Sequence, residues 1–221
     1  GDSDEDRTAY GEVVLAAIGR VPNTDADWFR SSGLKLDERG YVTVDGYGRT
    51  NLDGVWALGD ITPGHALAHR AFEQGITIAE KIAGADPKPV LDDTVPQVVF
   101  SFPEAASVGL TLDQAKARED VVEPKETAYP MLSNARMLMS GEGGSMTVVS
   151  GAFANNPDMQ VVLGVHIVSP IASDLIAEAE QLVGNRVPLA DAARLIHPHP
   201  TFSETLGEAL LKADGRPLHT R

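Results

Sequence analysis

The stretch SMTVVSGAFANNPDMQVVLGVHIVS, residues 145–169, decides how the rest of the chain is read. Two Val-rich, strand-like runs, 145–153 and 161–169, flank Ala154-Asn155-Asn156-Pro157-Asp158, a turn-rich hairpin connection. Upstream, QVVFSF at residues 97–102 is a further strand-like run. Between them Thr111-Leu112-Asp113-Gln114 matches a capping box that opens a short helix to about Asp120. Downstream, Ala172, Leu175, Ile176, Ala179, Leu182 and Val183 form a helical stripe stopped by Gly184. Leu189, Ala192, Ala193 and Ile196 form a second stripe, and a last helix is expected from near Thr201 to about Ala213. Strands followed by a run of helices predict an α+β unit: an antiparallel sheet with flanking helices.

Toward the N-terminus the pattern changes. EVVLAAIG at 12–19 is a continuous apolar run and reads as a strand buried on both faces. YVTVD at 41–45 and GVWALGD at 54–60 are two shorter strand candidates. From Ala68, the residues Ala71, Phe72, Gly75, Ile76, Ala79, Ile82 and Ala83 recur at helical spacing and form one face, ended by Gly84. Strand followed by helix fits an α/β layer. Residues 84–96 hold three prolines and little periodicity, so the chain divides there, into 1–90 and 91–221.

The chain has 221 residues, 43% of them hydrophobic, which is enough for a sizeable core. Against 32 acidic residues stand 18 basic ones, a net charge of -14, which disfavours general nucleic-acid binding. No run approaches the roughly 20 apolar residues of a membrane span. The acidic, polar start GDSDEDRTAY resembles neither a secretory signal nor a transit peptide. Zero cysteine excludes disulfides, thiolate metal sites and a cysteine nucleophile within the chain.

The sharpest chemical feature is His197-Pro198-His199-Pro200-Thr201-Phe202-Ser203-Glu204. Prolines stiffen a loop that carries two imidazoles, and a carboxylate follows. Such a set can act as a general base and the group that orients it. Thr201-x-x-Glu204 is also a capping box, so Glu204 can serve the helix start alone. A His-x-His metal pair is disfavoured, because no other cluster supplies further ligands. Gly59-Asp60 closes a strand candidate, where a carboxylate can accept hydrogen bonds from sugar or ribitol hydroxyls. Leu67-Ala68-His69 opens the following helix, with amides free to face an anion or a carbonyl. Gly141-Glu142-Gly143-Gly144 lacks the third glycine of a dinucleotide loop and precedes a strand, so it reads as a plain loop. Asn134-Ala135-Arg136 and the methionines Met131, Met137 and Met139 are assigned to a loop that packs on something, another subunit included.

Five motifs now stand in order: VVLAAIGRVPNT (13–24), TNLDGVWALGD (50–60), LAHRAFEQG (67–75), FPEAASVGLT (102–111) and HPHPTFSE (197–204). Together they resemble the C-terminal half of flavin-dependent pyridine nucleotide–disulfide oxidoreductases, most nearly the dihydrolipoamide dehydrogenase branch. The resemblance implies a fold: residues 1–90 close the nicotinamide-nucleotide domain and form an α/β remnant of the FAD-binding domain, and 91–221 form the α+β dimerisation domain. It implies a base, His199, with Glu204 as its carboxylate partner. It implies flavin contacts at Gly59, Asp60, Leu67, Ala68, His69 and Pro200, and no metal. FAD, NAD, a lipoyl-bearing substrate, a homodimer and a cytoplasmic setting belong to the complete enzyme. The family's glycine-rich FAD and nucleotide loops and its redox cysteine pair have no counterpart here. The expectation is therefore a C-terminal fragment, inactive by itself and binding no cofactor tightly. The rival expectations are a stand-alone, non-catalytic dimerisation module and a fragment of a related disulfide reductase.

Overall fold

The computed structural model describes residues 8–220; residues 1–7 and 221, with most of the acidic start, lie outside it. The hairpin holds. β4 (Ser145–Phe153) and β5 (Asn156–Ser169) pair antiparallel, and β5 begins five residues earlier than its apolar run, because Asn156 already pairs with Phe153. Around this hairpin lie β1 (Gln97–Val99), β2 (Glu104–Gly109) and β3 (Val121–Pro130), in the order β1-β2-β5-β4-β3. Every pairing is antiparallel.

β2 and β3 have no clear apolar signature. In β2, Glu104-Ala105-Ala106-Ser107-Val108-Gly109 is mostly small residues, and its last position requires one: a Cβ on Gly109 would stand 2.2 Å from the Leu163 carbonyl oxygen. β3 is an edge strand interrupted by an irregularity between Val122 and Lys125, where Glu123 takes φ 50°. Pro124 is tolerated there because the ladder is already broken.

Both faces of the sheet are covered. On one, Ala106, Val108, Met146, Val148, Val165 and Ile167 meet the stripe of α5 (Ala172–Gly184) together with Leu206, Ala209 and Leu210. Those last three belong to α7 (Glu204–Ala213), and α6 (Leu189–Ala192) adds Leu189 and Ala192. On the other face Val149, Val161 and Leu163 meet Ala115 of α3 (Leu112–Ala117), which the Thr111/Gln114 capping box opens as read. α3 ends three residues before Asp120, and Ile196, read as the end of the α6 stripe, is 97% exposed. The methionine segment is not a loop: Met131 opens a 3-10 turn and Met137 lies in α4 (Ala135–Ser140). Both are buried in this chain's own core, while Met139 is exposed.

The N-terminal part corrects the sequence reading. Residues 12–19 form no strand, and Val13, Val14, Leu15 and Ile18 are exposed. The segments 41–45 and 54–60 carry only isolated bridges, Leu36 to Val42 and Arg49 to Trp56. A strand is made by its neighbours' hydrogen bonds, and no described segment pairs with 12–19. What organises the region is a small cluster of Phe29, Val42 and Ala57, with Phe29 supplied by α1 (Asp27–Ser31). α2 (Ala68–Ile82) starts where expected, but Phe72, Ile76 and Ile82 of its apolar face are exposed. Arg70, Thr77 and Ile78 turn inward instead. Arg70 is buried and bonds Asp92 at 2.7 Å and the Pro63 carbonyl at 2.6 Å, which ties α2 to the segment entering β1.

Candidate functional site

The loop between α6 and α7 presents the two imidazoles very differently. The His199 side chain is 69% exposed, and its Nδ1 donates to Glu204 Oε1 at 2.9 Å. A carboxylate only accepts, so in the neutral ring this contact puts the proton on Nδ1 and leaves the lone pair on Nε2. His197 is 9% exposed, and its Nε2 donates to Glu178 Oε1 of α5 at 2.7 Å. Its Nδ1 lies against the backbone of Gly207 in α7. Of the two histidines, only His199 offers a nitrogen to an incoming proton donor.

Glu204 makes both contacts that the sequence left as alternatives. Its Oε2 accepts from the Thr201 amide at 2.7 Å while Oε1 holds His199. The capping box is only half made, because the Thr201 hydroxyl donates to the Pro198 carbonyl at 2.6 Å rather than serving the helix. Burial acts to raise the Glu204 pKa. The Thr201 amide, the His199 hydrogen bond and the charges of His199 and His197 outweigh it and hold the carboxyl below its usual value. For His197 the hydrogen bond to Glu178 leads, burial opposes it, and the net direction is upward.

Other anchors escaped the sequence reading. Asn134 caps α4 through its Oδ1 and donates from Nδ2 to the Thr201 carbonyl at 3.2 Å. Arg136, which had no assigned partner, stacks over Phe202 at 5.4 Å. Glu178 sits 19 residues from His197, and no local pattern joins them. Gly207 did leave a signal: a glycine inside an otherwise strong helix.

Gly59, Asp60 and the start of α2 form a second cluster. Gly59 has φ 72°, and its amide donates to Gln74 of α2 at 2.9 Å, which holds the turn against the helix. The Asp60 carboxylate is 54% exposed with Arg20 at 3.6 Å. Leu67 caps α2 with no side-chain hydrogen bond, so the first amides of the helix stay available. The His69 ring is committed to the Pro96 carbonyl at 2.8 Å, which leaves its backbone as the part a ligand can meet. An open carboxylate can accept from a hydroxyl-bearing chain and uncapped helix amides can meet a carbonyl edge, the groups a flavin ribitol and ring present. Among the described residues, no hydrogen bond or ion pair joins this cluster to the His199 loop. Pro200, joined to His199 by a cis peptide, lies with the loop.

Residues 95–210 match the dimerisation domain of pyridine nucleotide-disulphide oxidoreductases, and residues 2–75 match the pyridine nucleotide-disulphide oxidoreductase domain. The chain belongs to this family. Its members are FAD-dependent disulfide oxidoreductases. The chain is therefore a piece of the pyridine nucleotide-disulphide oxidoreductase domain followed by the dimerisation domain. Dihydrolipoyl dehydrogenase of Cupriavidus necator is 40% identical over 215 residues, covering 96% of this chain and 44% of the relative. Dihydrolipoyl dehydrogenase of Geobacillus stearothermophilus is 39% identical over 217 residues, covering 97% and 44%. The crystal structure of LpdA from Mycobacterium tuberculosis superposes with TM-score 0.79 at 31% identity, covering 89% of this chain and 42% of that one. The chain thus spans less than half the length of the curated relatives it matches. No helix among the described residues is long and apolar enough to cross a membrane.

Proposed function

We infer that the chain supplies the acid–base pair and the dimer interface of a dihydrolipoyl dehydrogenase-like enzyme, and is inactive by itself. The observation that carries this is the 2.9 Å bond from His199 Nδ1 to Glu204 Oε1, on a dimerisation domain whose relatives bear that name. The division at residue 90 belongs to the same reading: 1–90 for cofactor contacts, 91–221 for dimerisation and proton transfer.

In the assembled enzyme, His199 Nε2 takes the proton of a dihydrolipoyl thiol, and the electron pair of the S–H bond stays on sulfur as thiolate. Glu204 keeps the imidazole in the productive tautomer and stabilises the imidazolium that forms. Gly59 and Asp60 serve a ribitol chain, the amides at Leu67, Ala68 and His69 a ring carbonyl, and Pro200 shapes the loop beside it. FAD, when bound, supplies two-electron acceptance, with NAD as the final acceptor. A homodimer brings the His199 loop of one subunit to the cofactor side of the other.

The test is direct. The purified chain is expected to show no stoichiometric flavin spectrum and no dihydrolipoamide-dependent turnover. Tightly held flavin, or turnover by the chain alone, overturns the claim of dependence on the rest of the enzyme.

A further inference from the structure

We propose that His197 is the positioning residue of the 197–203 loop: clamped between Glu178 of α5 and Gly207 of α7, it sets where the His199 imidazole stands. This rests on the acid–base reading of His199 and Glu204, and concerns how that pair is held.

His199 has little to hold it. Its side chain is 69% exposed, and among the described residues Glu204 is its one hydrogen-bond partner. An exposed imidazole keeps a working geometry only if its backbone is fixed, because small misplacements of a reacting group are costly. The loop makes no ladder hydrogen bonds and follows the exposed Ile196. Its C-terminal end is tied by Asn134 on the Thr201 carbonyl and by Glu204 on the Thr201 amide. Its N-terminal end has His197. The ring is nine-tenths buried, its Nε2 is 2.7 Å from Glu178 Oε1, and Pro198 follows it directly. Proline locks its own φ and confines the residue before it to extended backbone. Fixing the His197 ring therefore fixes the direction in which the chain leaves toward His199.

Gly207 is an independent observation. Glycine inside a helix costs about 1 kcal/mol relative to alanine. Gly207 lies inside α7 without a positive φ, so the backbone gives no reason for it. The neighbour does: a Cβ there would meet His197 Nδ1 at 2.6 Å and Cε1 at 2.9 Å. The helix forgoes a side chain where the ring is seated. The charged groups acting on His197 are Glu178 from α5 and Glu204 from α7.

The experiment uses the 221-residue chain with 15N-labelled histidine. Two-bond 1H–15N correlations read the tautomer of each ring, assigned by single His→Gln variants. In the unsubstituted chain, neutral His199 is expected in the Nδ1–H form. His197→Ala, Glu178→Ala and Gly207→Ala should each reduce the excess of that form about two- to fivefold, the range of an exposed pair's coupling. His197→Gln keeps an amide donor for Glu178 and should restore most of it. A merely structural clamp would lower the unfolding midpoint and leave the His199 tautomer alone. Gly207→Ala covers the case in which His197→Ala fails to fold, since it raises helix propensity and touches neither His199 nor Glu204. An unchanged His199 tautomer in folded Gly207→Ala and Glu178→Ala overturns the proposal. Glu204→Ala, which removes the acceptor, separates the underlying reading: if it leaves the His199 tautomer unchanged, the acid–base pair itself fails, whatever His197 does.

Discussion

His199 and His197 stand two positions apart with opposite fates, and burial decides between them. The exposed ring, with a carboxylate on one nitrogen and solvent on the other, is suited to take protons. The buried ring bonds Glu178 through one nitrogen and packs the other against Gly207. In the assembled enzyme, His199→Gln should lower dihydrolipoamide-driven turnover by roughly 10²–10⁴-fold, the usual worth of a general base. NADH-driven reduction of an artificial acceptor should change far less, so steady-state assays with the two substrates check the assignment. Glu204→Gln should show a similar but milder defect, because in the proposed mechanism it orients rather than transfers. The pH dependence of stability follows from the same residues. The His197 pKa is raised above 6.5 chiefly by the Glu178 hydrogen bond, so its contribution is full below 6.5 and is lost as pH rises through the raised value. The Glu204 pKa is lowered below 4.5, with burial opposing and its hydrogen bonds prevailing, so its contribution is present above 4.5 and lost as pH falls. Urea midpoints measured against pH should therefore fall at both ends, and Glu178→Gln should remove the alkaline limb.

Among the elements, α3 is read from sequence almost without error, because its signal is local. Thr111 and Gln114 satisfy each other's backbone donors at 3.2 and 2.9 Å, and no tertiary contact is needed to see it. Thr111→Ala should cost about 1 kcal/mol by urea denaturation. β4 is equally legible, since Val148 and Val149 serve opposite faces of one sheet. β2 and β3 are not, for two different reasons. β2 is mostly small residues and meets β5 by close backbone approach at its end: a Cβ on Gly109 would lie 2.2 Å from the Leu163 carbonyl oxygen, and one on Gly164 of β5 would lie 2.2 Å from the Leu110 carbonyl oxygen. Gly164→Ala should cost about 1–3 kcal/mol by the same measurement, the usual range for overpacking. β3 is a polar edge strand with a break, and edges are polar because one side carries no partner. The stretch 12–19 fails the opposite way. Its apolar run is strong, yet strand formation needs a hydrogen-bonding neighbour, which apolarity does not provide.

For the whole molecule, the exposed Phe100, Phe102, Leu132, Leu138, Met139 and Ile196 belong to the domain matched as the dimerisation domain. Sedimentation should find the chain self-associating as concentration rises, and Leu138→Glu with Ile196→Glu should return it to monomer without lowering the unfolding midpoint of that monomer. The sequence by itself determined the hairpin, the buried stripe of α5, the ordered motifs and the residue types of the His199 loop. These depend on local propensity, on periodicity, and on contacts a few residues apart. Only the tertiary structure decided which histidine is free and which is clamped, why Gly207 is glycine, and that the apolar face of α2 looks outward. Each of those depends on where a residue distant in sequence lies, as Glu178 does for His197, and a one-dimensional pattern carries no record of that placement.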